Sequence, residues 1–235
     1  MKTIIIIPTY NEAKNIEKLL KQIFALRISE LEIIVVDDNS PDHTAKIVED
    51  LQSSFFNATL HLISRAGKLG LGSAYIEGFK KALELQADFI FEMDADFSHD
   101  PDDIPRLLQA CENADLVIGS RKTEGGKIIG WGWTRKMMSS GAMWFSRFLL
   151  GLKAKDVTAG FRCFRRRVLE SIDLNTIKSN GYAFQEELLF HTQKSGFTIT
   201  EVPVIFIDRE EGESKLNKKD IFEFFWIILK LRFKK

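Results

Sequence analysis

The chain has 235 residues, of which 45% are hydrophobic and 28% are charged, so it holds enough apolar sequence to bury one sizeable core. Lysine plus arginine and aspartate plus glutamate number 33 each, and this balance gives no reason to expect a nucleic acid as partner. Met1 and Lys2 lead into an apolar run without a small-residue cleavage site, so we expect no secretory signal and a cytoplasmic protein. Cys111 and Cys163 fit no metal-ligand spacing, and we expect them to be small buried groups, with a disulfide between them left open.

Apolar, strand-like runs alternate with helical patterns through the first half of the chain. The predicted strand and helix pairs are 3–7 with 13–26, 31–36 with 44–51, 59–63 with 73–85, and 87–93 with 104–111. Such an alternation predicts an α/β fold with a mostly parallel sheet and helices on both faces. After Gly119 the pattern loosens, and we expect a helix over about 136–150 and one strand over 201–207. No repeat or long linker divides the chain, so we expect a single main domain.

Polar loops follow the predicted strands at 8–12, 37–42, 68–72 and 94–99. In parallel sheets ligands bind beyond the carboxyl ends of the strands, so these loops predict a site at one edge. The loop at 68–72 lacks the spacing of a phosphate-binding P-loop, and no Gly-x-Gly-x-x-Gly fingerprint follows a strand. Both absences argue against an ATPase and against a dinucleotide oxidoreductase.

The first two loops carry groups suited to a nucleotide. Tyr10 offers an aromatic face to a base, and Glu12 offers an acceptor to a base or a ribose, although Asn11 as the cap of a helix start is the structural alternative. Asp37 and Asp38 are acceptors suited to ribose hydroxyls. The residues that follow them have turn and helix-cap chemistry and are expected to be structural: Ser40, Asp42 and Thr44.

Asp94 and Asp96 come directly after an apolar strand pattern. Residues i and i+2 at a strand end point the same way, so both carboxylates can face one divalent cation or one diphosphate. The structural alternative is a solvated acidic turn before Pro101.

These loops together resemble the inverting glycosyltransferases of family 2, which have a GT-A fold. The segments that carry the resemblance are 8–12, 36–42 and 93–96. Later segments narrow it to dolichol-phosphate mannose synthases and related polyprenyl-phosphate sugar transferases: 119–121, Arg135 with Ser139, 156–162, 181–185, and Arg209 with Gly212, Ser214 and Lys215. The resemblance runs from about 4 to 216, and it implies a catalytic domain over 1–216.

The resemblance implies a donor site for GDP-mannose with Mg²⁺ or Mn²⁺. By similarity, the guanosine and ribose would be held by Pro8, Tyr10, Glu12, Val36 and Asp38. The diphosphate, metal and sugar would be held by Asp94, Ala95 and Asp96, with Asp94 and Asp96 as metal ligands. The family often has Gln two residues beyond the second aspartate, whereas this chain has Ser98, which leaves the third protein ligand open.

The resemblance also implies how the acceptor is held. The residues that match positions around the acceptor phosphate and the diphosphate are Arg121, Arg135, Ser139, Arg209 and Lys215. Of these, Arg121, Arg209 and Lys215 are expected to act with Asp96 in catalysis. A polyprenyl phosphate is already an anionic nucleophile, so no general base is required, and direct displacement predicts inversion. The run 165–167 of three arginines is expected to be a helix start or a membrane-facing basic patch.

The last segment, 217–235, predicts an amphipathic helix. Its uninterrupted apolar run, 224–229, is far shorter than the roughly 20 residues that span a bilayer. Seven basic residues against two acidic ones from Lys215 onward suit a helix at a membrane interface, and a helix packed on the core is the alternative. We therefore expect a peripheral enzyme at the cytoplasmic face of a membrane, with a small membrane-anchoring subunit as a further candidate partner.

The expected reaction is transfer of mannose from GDP-mannose to a polyprenyl or dolichyl phosphate. The alternatives are a transferase that uses a UDP-sugar such as UDP-glucose, and a non-catalytic nucleotide-binding membrane module.

Overall fold

The computed structural model describes residues 1–54, 59–177, 179, 181–208 and 218–233, with the side chains of 182 and 218–223 left out. The strands are β1 (Thr3–Thr9), β2 (Leu31–Asp37), β3 (Leu60–Ser64), β4 (Phe89–Glu92), β5 (Leu116–Ser120), β6 (Lys127–Ile129), β7 (Arg162–Arg165), β8 (Ile199–Pro203) and β9 (Ile205–Ile207). The helices are α1 (Ile16–Ala25), α2 (Thr44–Ser54), α3 (Leu71–Glu84), α4 (Ile104–Cys111), α5 (Trp133–Leu150), α6 (Arg166–Glu170), α7 (Gly181–Lys194) and α8 (Lys218–Phe233).

A seven-stranded sheet with the order β3-β2-β1-β4-β7-β5-β8 forms the centre of the molecule. All neighbouring strands are parallel except β7, which runs antiparallel to both β4 and β5. The chain order reverses beside β1, so the loops after β1, β2 and β4 meet at one edge. The predicted mostly parallel sheet with helices on both faces is confirmed.

The core lies in two layers on opposite faces of this sheet, and β1 shows why. Ile4 and Ile6 pack with α3 and α7 on one face, whereas Ile5 and Ile7 pack with α1 on the other. All four isoleucines are fully buried, because successive strand residues point to opposite faces and both faces are covered.

The prediction of one strand over 201–207 is wrong. Its first half is β8, which pairs with β5 in the large sheet, and its second half is β9, which pairs with β6 in a separate two-stranded sheet. The chain changes sheets at Val204, where apolar periodicity continues without a signal of the change. Four further elements were not predicted, and these are β5, β6, β7 and α7.

Two structural expectations are confirmed. Cys111 and Cys163 are buried and unpaired, and the Cys111 thiol donates to the Cys163 carbonyl at 3.6 Å. The arginine run is a helix start, since α6 begins at Arg166, whose Nε donates to the Ala87 carbonyl. This run ties the amino ends of β4 and β5 together, at the edge of the sheet opposite the predicted site.

Helix α8 packs on the core through one side. Phe224, Ile228 and Leu231 are buried in the same layer as α7, and the Phe225 ring contacts the Phe145 ring of α5 at 5.0 Å. The other side of α8 is exposed and carries Phe225, Trp226, Leu229 and Phe233 together with Lys230 and Arg232. Within the part of the chain that the structure describes, no helix has the length and apolarity needed to cross a bilayer.

Replacing Glu186 with glutamine should stabilise the protein increasingly as pH rises. Glu186 is fully buried on α7 and accepts from Ser146 of α5 at 2.6 Å. Burial raises its pKa from 4.5 to about 8, with Ser146 and Arg162 opposing. The folded chain therefore keeps a proton that the unfolded chain loses between these values, and stability falls with pH through that window.

Glutamine accepts from Ser146 without titrating, so the gain in unfolding free energy should be absent near pH 4.5 and reach about 2–4 kcal/mol at pH 8. Urea unfolding at both pH values measures it, with exposed Glu170→Gln as the control. A gain that is equal at both pH values would contradict the assignment.

Candidate active site

The loops after β1 and β2 are held by Asp37. Its carboxylate accepts from the Thr9 hydroxyl at 2.8 Å and from the Ser40 backbone N–H and hydroxyl at 2.8 and 2.6 Å. The Ser40 hydroxyl in turn accepts from the Asn11 N–H at 3.0 Å. Asn11 has a φ of 62° and lies well before the first residue of α1, so the interpretation of Asn11 as a helix cap is wrong.

The structural role predicted for Asp42 and Thr44 is confirmed. The Asp42 carboxylate accepts from the Thr44 hydroxyl at 2.6 Å and from the Ala13 N–H at 2.9 Å. Thr44 Oγ1 accepts from the Glu12 N–H at 3.0 Å, and the Glu12 carboxylate accepts from Asn15. Glu12 therefore lies on a loop that is braced from both sides.

Asp38 organises a third loop. It is buried, accepts from Arg65 at 2.7 Å, and accepts from the backbone N–H groups of Leu69 and Gly70 at 3.1 and 3.2 Å. This holds Lys68 with its ammonium 4.2 Å from the centre of the Tyr10 ring. Tyr10 and Asp38 thus share one edge, and buried Arg65 is a residue that sequence reasoning missed.

Three of the residues predicted to bind the sugar nucleotide are partly or fully buried. Pro8 pairs with Val36 across β1 and β2 and is half-buried. Val36 is fully buried in the core between β1 and β3. Ala95 is almost fully buried between the two aspartates.

The two aspartates follow β4 in a tight turn. The Tyr75 hydroxyl donates to Asp94 Oδ1 at 3.3 Å, and the Ser98 N–H donates to Asp96 Oδ1 at 3.0 Å. Phe97, between Asp96 and Ser98, has a φ of 59°, which closes the turn. Asp94 and Asp96 are thus presented from backbone that is held by its own hydrogen bonds.

His99 supports this turn and was not assigned a role from the sequence. Its Nδ1 accepts from the Asp94 N–H at 3.2 Å, and its ring stacks on Phe161 at 5.0 Å. Burial lowers its pKa to about 4, with Asp96 and Asp156 opposing and Arg121 reinforcing the shift. The imidazole is therefore neutral, with its hydrogen on Nε2. The only indication of this role in the sequence is a histidine three residues after Asp96.

A second segment of the chain, which contains Gly160, lies close to the aspartates. A Cβ atom at this position would lie 3.9 Å from Asp94 Oδ2, 3.7 Å from His99 Cε1 and 3.8 Å from Gln185 Nε2. The segment 156–162 therefore forms one wall of the site, next to the carboxylates.

Arg121 is buried beside this wall and paired with Asp156. Its Nε and Nη2 donate to the two Asp156 oxygens at 2.7 and 2.6 Å. Burial raises the pKa of Asp156, but Arg121 outweighs it and holds the pKa below its ordinary value. The charge of Arg121 reaches His99, and its guanidinium lies 5.7 Å from the Trp131 ring.

Arg135 lies near the same tryptophan ring as Arg121. Its guanidinium lies 4.1 Å from the Trp131 ring, and its Nη1 donates to the two Asp208 oxygens at 2.8 and 3.1 Å. Ser139 follows one turn later on α5 and is half-buried. The remaining predicted acceptor residues, Arg209 and Lys215, lie outside the described residues.

The residues around Asp94 suit a magnesium or manganese ion. Across the described ranges, no group of three or more His, Cys, Asp or Glu side chains forms a metal cluster. Mg²⁺, however, commonly uses one or two carboxylates and takes its other ligands from substrate phosphates and water. The Ser98 hydroxyl is buried and has no hydrogen-bond partner among the described residues, so it adds an oxygen donor beside the pair.

A family model described as glycosyl transferase family 2 matches residues 4–173. The chain belongs to glycosyltransferase family 2. An undecaprenyl-phosphate mannosyltransferase of Micrococcus luteus is 45% identical over 219 residues, which are 92% of this chain and 88% of that protein. A polyprenol monophosphomannose synthase of Mycolicibacterium smegmatis is 42% identical over 223 residues, which are 94% and 83% of the two chains. A dolichol-phosphate mannosyltransferase of Pyrococcus furiosus is 41% identical over 235 residues, or 98% of this chain and 64% of that protein.

Solved structures establish the GT-A fold expected of this family member. Glucosyl-3-phosphoglycerate synthase from Mycobacterium tuberculosis, in complex with Mg²⁺ and UDP, superposes with a TM-score of 0.70 at 20% identity, over 98% of this chain and 79% of that chain. The same synthase with Mn²⁺, UDP-glucose and phosphoglyceric acid gives a TM-score of 0.67 at 19% identity, over 97% and 79%. Proteins of this fold have thus been crystallised with both metals.

Proposed function

We propose that the chain transfers mannose from GDP-mannose to the phosphate of a polyprenyl or dolichyl lipid, with inversion at the sugar. One observation carries the proposal. Asp94 and Asp96 lie on a supported turn next to Arg121, in a chain 41–45% identical to relatives that are named for mannosyl transfer to such lipids. The reaction needs carboxylates that hold a metal, and next to them it needs cations that bind phosphate.

On the donor side, Tyr10 and Glu12 would contact the base and ribose, next to the loop that Asp38 holds. Asp94 and Asp96 would hold Mg²⁺ or Mn²⁺, which when bound offsets the charge of the diphosphate leaving group. The sugar and diphosphate would lie beside Asp94, next to the segment that contains Gly160.

On the acceptor side, the lipid phosphate is anionic near neutral pH and attacks without a general base. Arg121 and Arg135 converge on Trp131 and would position this phosphate, as arginine's planar fork suits phosphate oxygens. Asp208 occupies Arg135 in this structure, so the lipid phosphate would compete with Asp208 for the same guanidinium. Direct attack in a single displacement gives a β-linked product from an α-linked donor.

The lipid would be reached through an exposed surface, the aromatic face. It is formed on α5 by Trp133, Met137, Trp144 and Phe148, and on α8 by Phe225, Trp226, Leu229 and Phe233. The α5 members are spaced by four, seven and four residues and so lie on one side of that helix. Trp144 and Phe148 stack on each other at 5.6 Å and are 67% and 76% exposed.

Large exposed apolar patches mark protein or membrane contacts, and Trp and Phe suit the bilayer interface. The sequence predicted only the α8 half of this surface. We propose that the aromatic face docks on the cytoplasmic face of a membrane, and a small anchoring subunit is the other candidate occupant.

The double variant Trp144→Ser/Phe148→Ser should bind phosphatidylcholine vesicles about 100-fold more weakly than the parent. Each ring withdraws roughly 150–250 Å² from water when buried, so losing two removes most of the apolar contribution of α5. Vesicle sedimentation measures the affinity. Leu69→Ser, an exposed apolar residue outside the aromatic face, is the matched control. Equal losses of vesicle affinity in both variants would contradict docking through the aromatic face.

A donor panel tests the proposed reaction directly. The chain is incubated with GDP-mannose, other GDP-sugars or UDP-sugars, a short polyprenyl phosphate and Mg²⁺ or Mn²⁺, and the lipid product is weighed by mass spectrometry. A hexosyl phosphate lipid formed fastest from GDP-mannose is the expected result. Preference for UDP-glucose would assign another sugar, and no product with any donor would favour a non-catalytic module.

A further inference from the structure

A cavity of about 230 Å³ lies beside α5, and we call it the basic cavity. Its lining residues are Lys122, Ser140, Met143, Trp144, Arg147 and Lys155. Lys122 follows β5 and Lys155 precedes β7, so the cavity lies between α5 and two loops of the large sheet.

The cavity concentrates positive charge that the rest of the described chain does not neutralise. Lys122, Arg147 and Lys155 contribute three cations, the lining contains no carboxylate, and none of the three forms an ion pair among the described residues. Asp156 acts on Lys122 electrostatically, but its oxygens are already bound by Arg121. An anion is therefore the ligand that this lining favours.

Two of these three cations have hydrogen-bond donors with a described environment. Lys122 Nζ donates to Ser140 Oγ at 3.3 Å, and burial lowers the pKa of Lys122 below its ordinary value. Arg147 Nε is buried and has no hydrogen-bond partner among the described residues. A phosphate oxygen in the cavity would accept from the guanidinium and ammonium groups of these cations, because such donors match phosphate acceptors.

The position of the basic cavity indicates where the phosphate comes from. Trp144 lines the cavity and also belongs to the aromatic face, so an anion in the cavity lies next to the surface proposed to meet the bilayer. Arg135 and Ser139 are absent from the lining, although Lys122 and Ser140 directly follow Arg121 and Ser139 in the chain, so the cavity lies beside the acceptor residues without including them. In a phospholipid the phosphate lies next to the acyl chains. The aromatic rings would contact the acyl chains while the basic cavity beside them binds the phosphate.

We propose that the basic cavity binds the phosphate of an anionic membrane phospholipid, separately from the polyprenyl phosphate that is the acceptor. This inference rests on the membrane docking in the proposed function. A bound headgroup would hold α5 against the bilayer and orient the acceptor residues toward the lipid surface.

The test compares two charge-matched double variants of the full chain. Arg147→Gln/Lys155→Gln removes two cations of the cavity, and Lys230→Gln/Arg232→Gln removes one exposed lysine and one exposed arginine of α8 outside it. Affinity is measured for vesicles of phosphatidylcholine alone and with phosphatidylglycerol. We expect the cavity pair to weaken phosphatidylglycerol-dependent binding about tenfold more than the control pair, with binding to neutral vesicles unchanged in both.

As the salt concentration rises, the loss of vesicle affinity caused by the control pair should disappear first. The loss caused by the cavity pair should persist to higher salt, because exposed charges are screened more strongly. Equal losses in the two pairs would reduce the effect to general surface charge and overturn the proposal.

Two further arms separate other sources of phosphate. Titration calorimetry with glycerol phosphate tests a soluble ligand. If the cavity pair loses that binding but binds vesicles as the control pair does, the ligand is a free phosphate and the proposal is overturned. In phospholipid-free detergent, the KM for polyprenyl phosphate should be unchanged, and a raised KM would assign the cavity to the acceptor. The vesicle readout needs no turnover, so failure of mannosyl transfer is recognised independently.

Discussion

Replacing Asp96 with asparagine is expected to lower kcat for mannosyl transfer about a thousandfold while leaving the fold intact. Asparagine keeps the Oδ1 acceptor that receives the Ser98 N–H at 3.0 Å, so the turn after β4 keeps its hydrogen bond. What it removes is the negative charge that would bind Mg²⁺ or Mn²⁺ beside the diphosphate. The loss should therefore appear in chemistry and metal dependence rather than in folding.

The measurement is the rate of lipid-linked product formation across a metal titration, with thermal unfolding recorded on the same samples. Asp102→Asn is the matched control, since Asp102 is exposed six residues later and outside the turn. Chelation of the metal should lower the parent rate to the level of the Asp96 variant. Retention of more than about a tenth of the parent rate, with unchanged metal dependence, would contradict the role of Asp96.

Replacing Arg162 with methionine is expected to cost about 3–5 kcal/mol of unfolding free energy. Arg162 is fully buried, and its guanidinium donates at 2.8 Å to the carbonyls of Ala159, Val157 and Gln185. It also faces Glu92 across β4 and β7. Methionine leaves these carbonyls without their donors and removes the cation that opposes the burial of Glu92.

Urea unfolding measures this cost. Arg167→Met is the control, because the Arg167 side chain is 64% exposed in its pair with Asp115 and should contribute at most about 1 kcal/mol. Adding Glu92→Gln to Arg162→Met should recover part of the loss, since burial already raises the pKa of Glu92 to about 8. Similar losses for Arg162→Met and Arg167→Met would show that the buried arginine contributes no more than a surface ion pair.

Arg162 also explains why part of the fold escaped prediction. The strand β7 begins with a buried arginine and ends with a half-buried one, so it has the pattern of polar surface and gives no apolar run from which a strand could be predicted. The first four strands gave such runs because both of their faces are covered, and their prediction is confirmed apart from residues at their ends. The loop residues after these strands were predicted as a site because strand ends share an edge, and the structure does bring those loops together.

The supporting side chains of the site required the tertiary structure. His99, Arg65 and Asp156 each contact a predicted site residue or its neighbour through pairs that are distant in sequence or depend on burial. The roles of Asp94, Asp96, Arg121 and Arg135 in catalysis stay predictions, and those of Arg209 and Lys215 concern residues outside the described ranges.

The sequence by itself determined the class of fold, the edge of the sheet where the loops meet, and the family. These depend on local apolar periodicity and on short motifs, which are written in consecutive residues. Only the tertiary structure decided that 201–207 divides between two sheets, that α5 and α8 pack together through Phe145 and Phe225 with exposed aromatic side chains on each helix, and that three cations line a cavity. These features depend on which distant segments pack together and on which charged groups become buried. The spacing of residues along one segment determines neither the packing nor the burial.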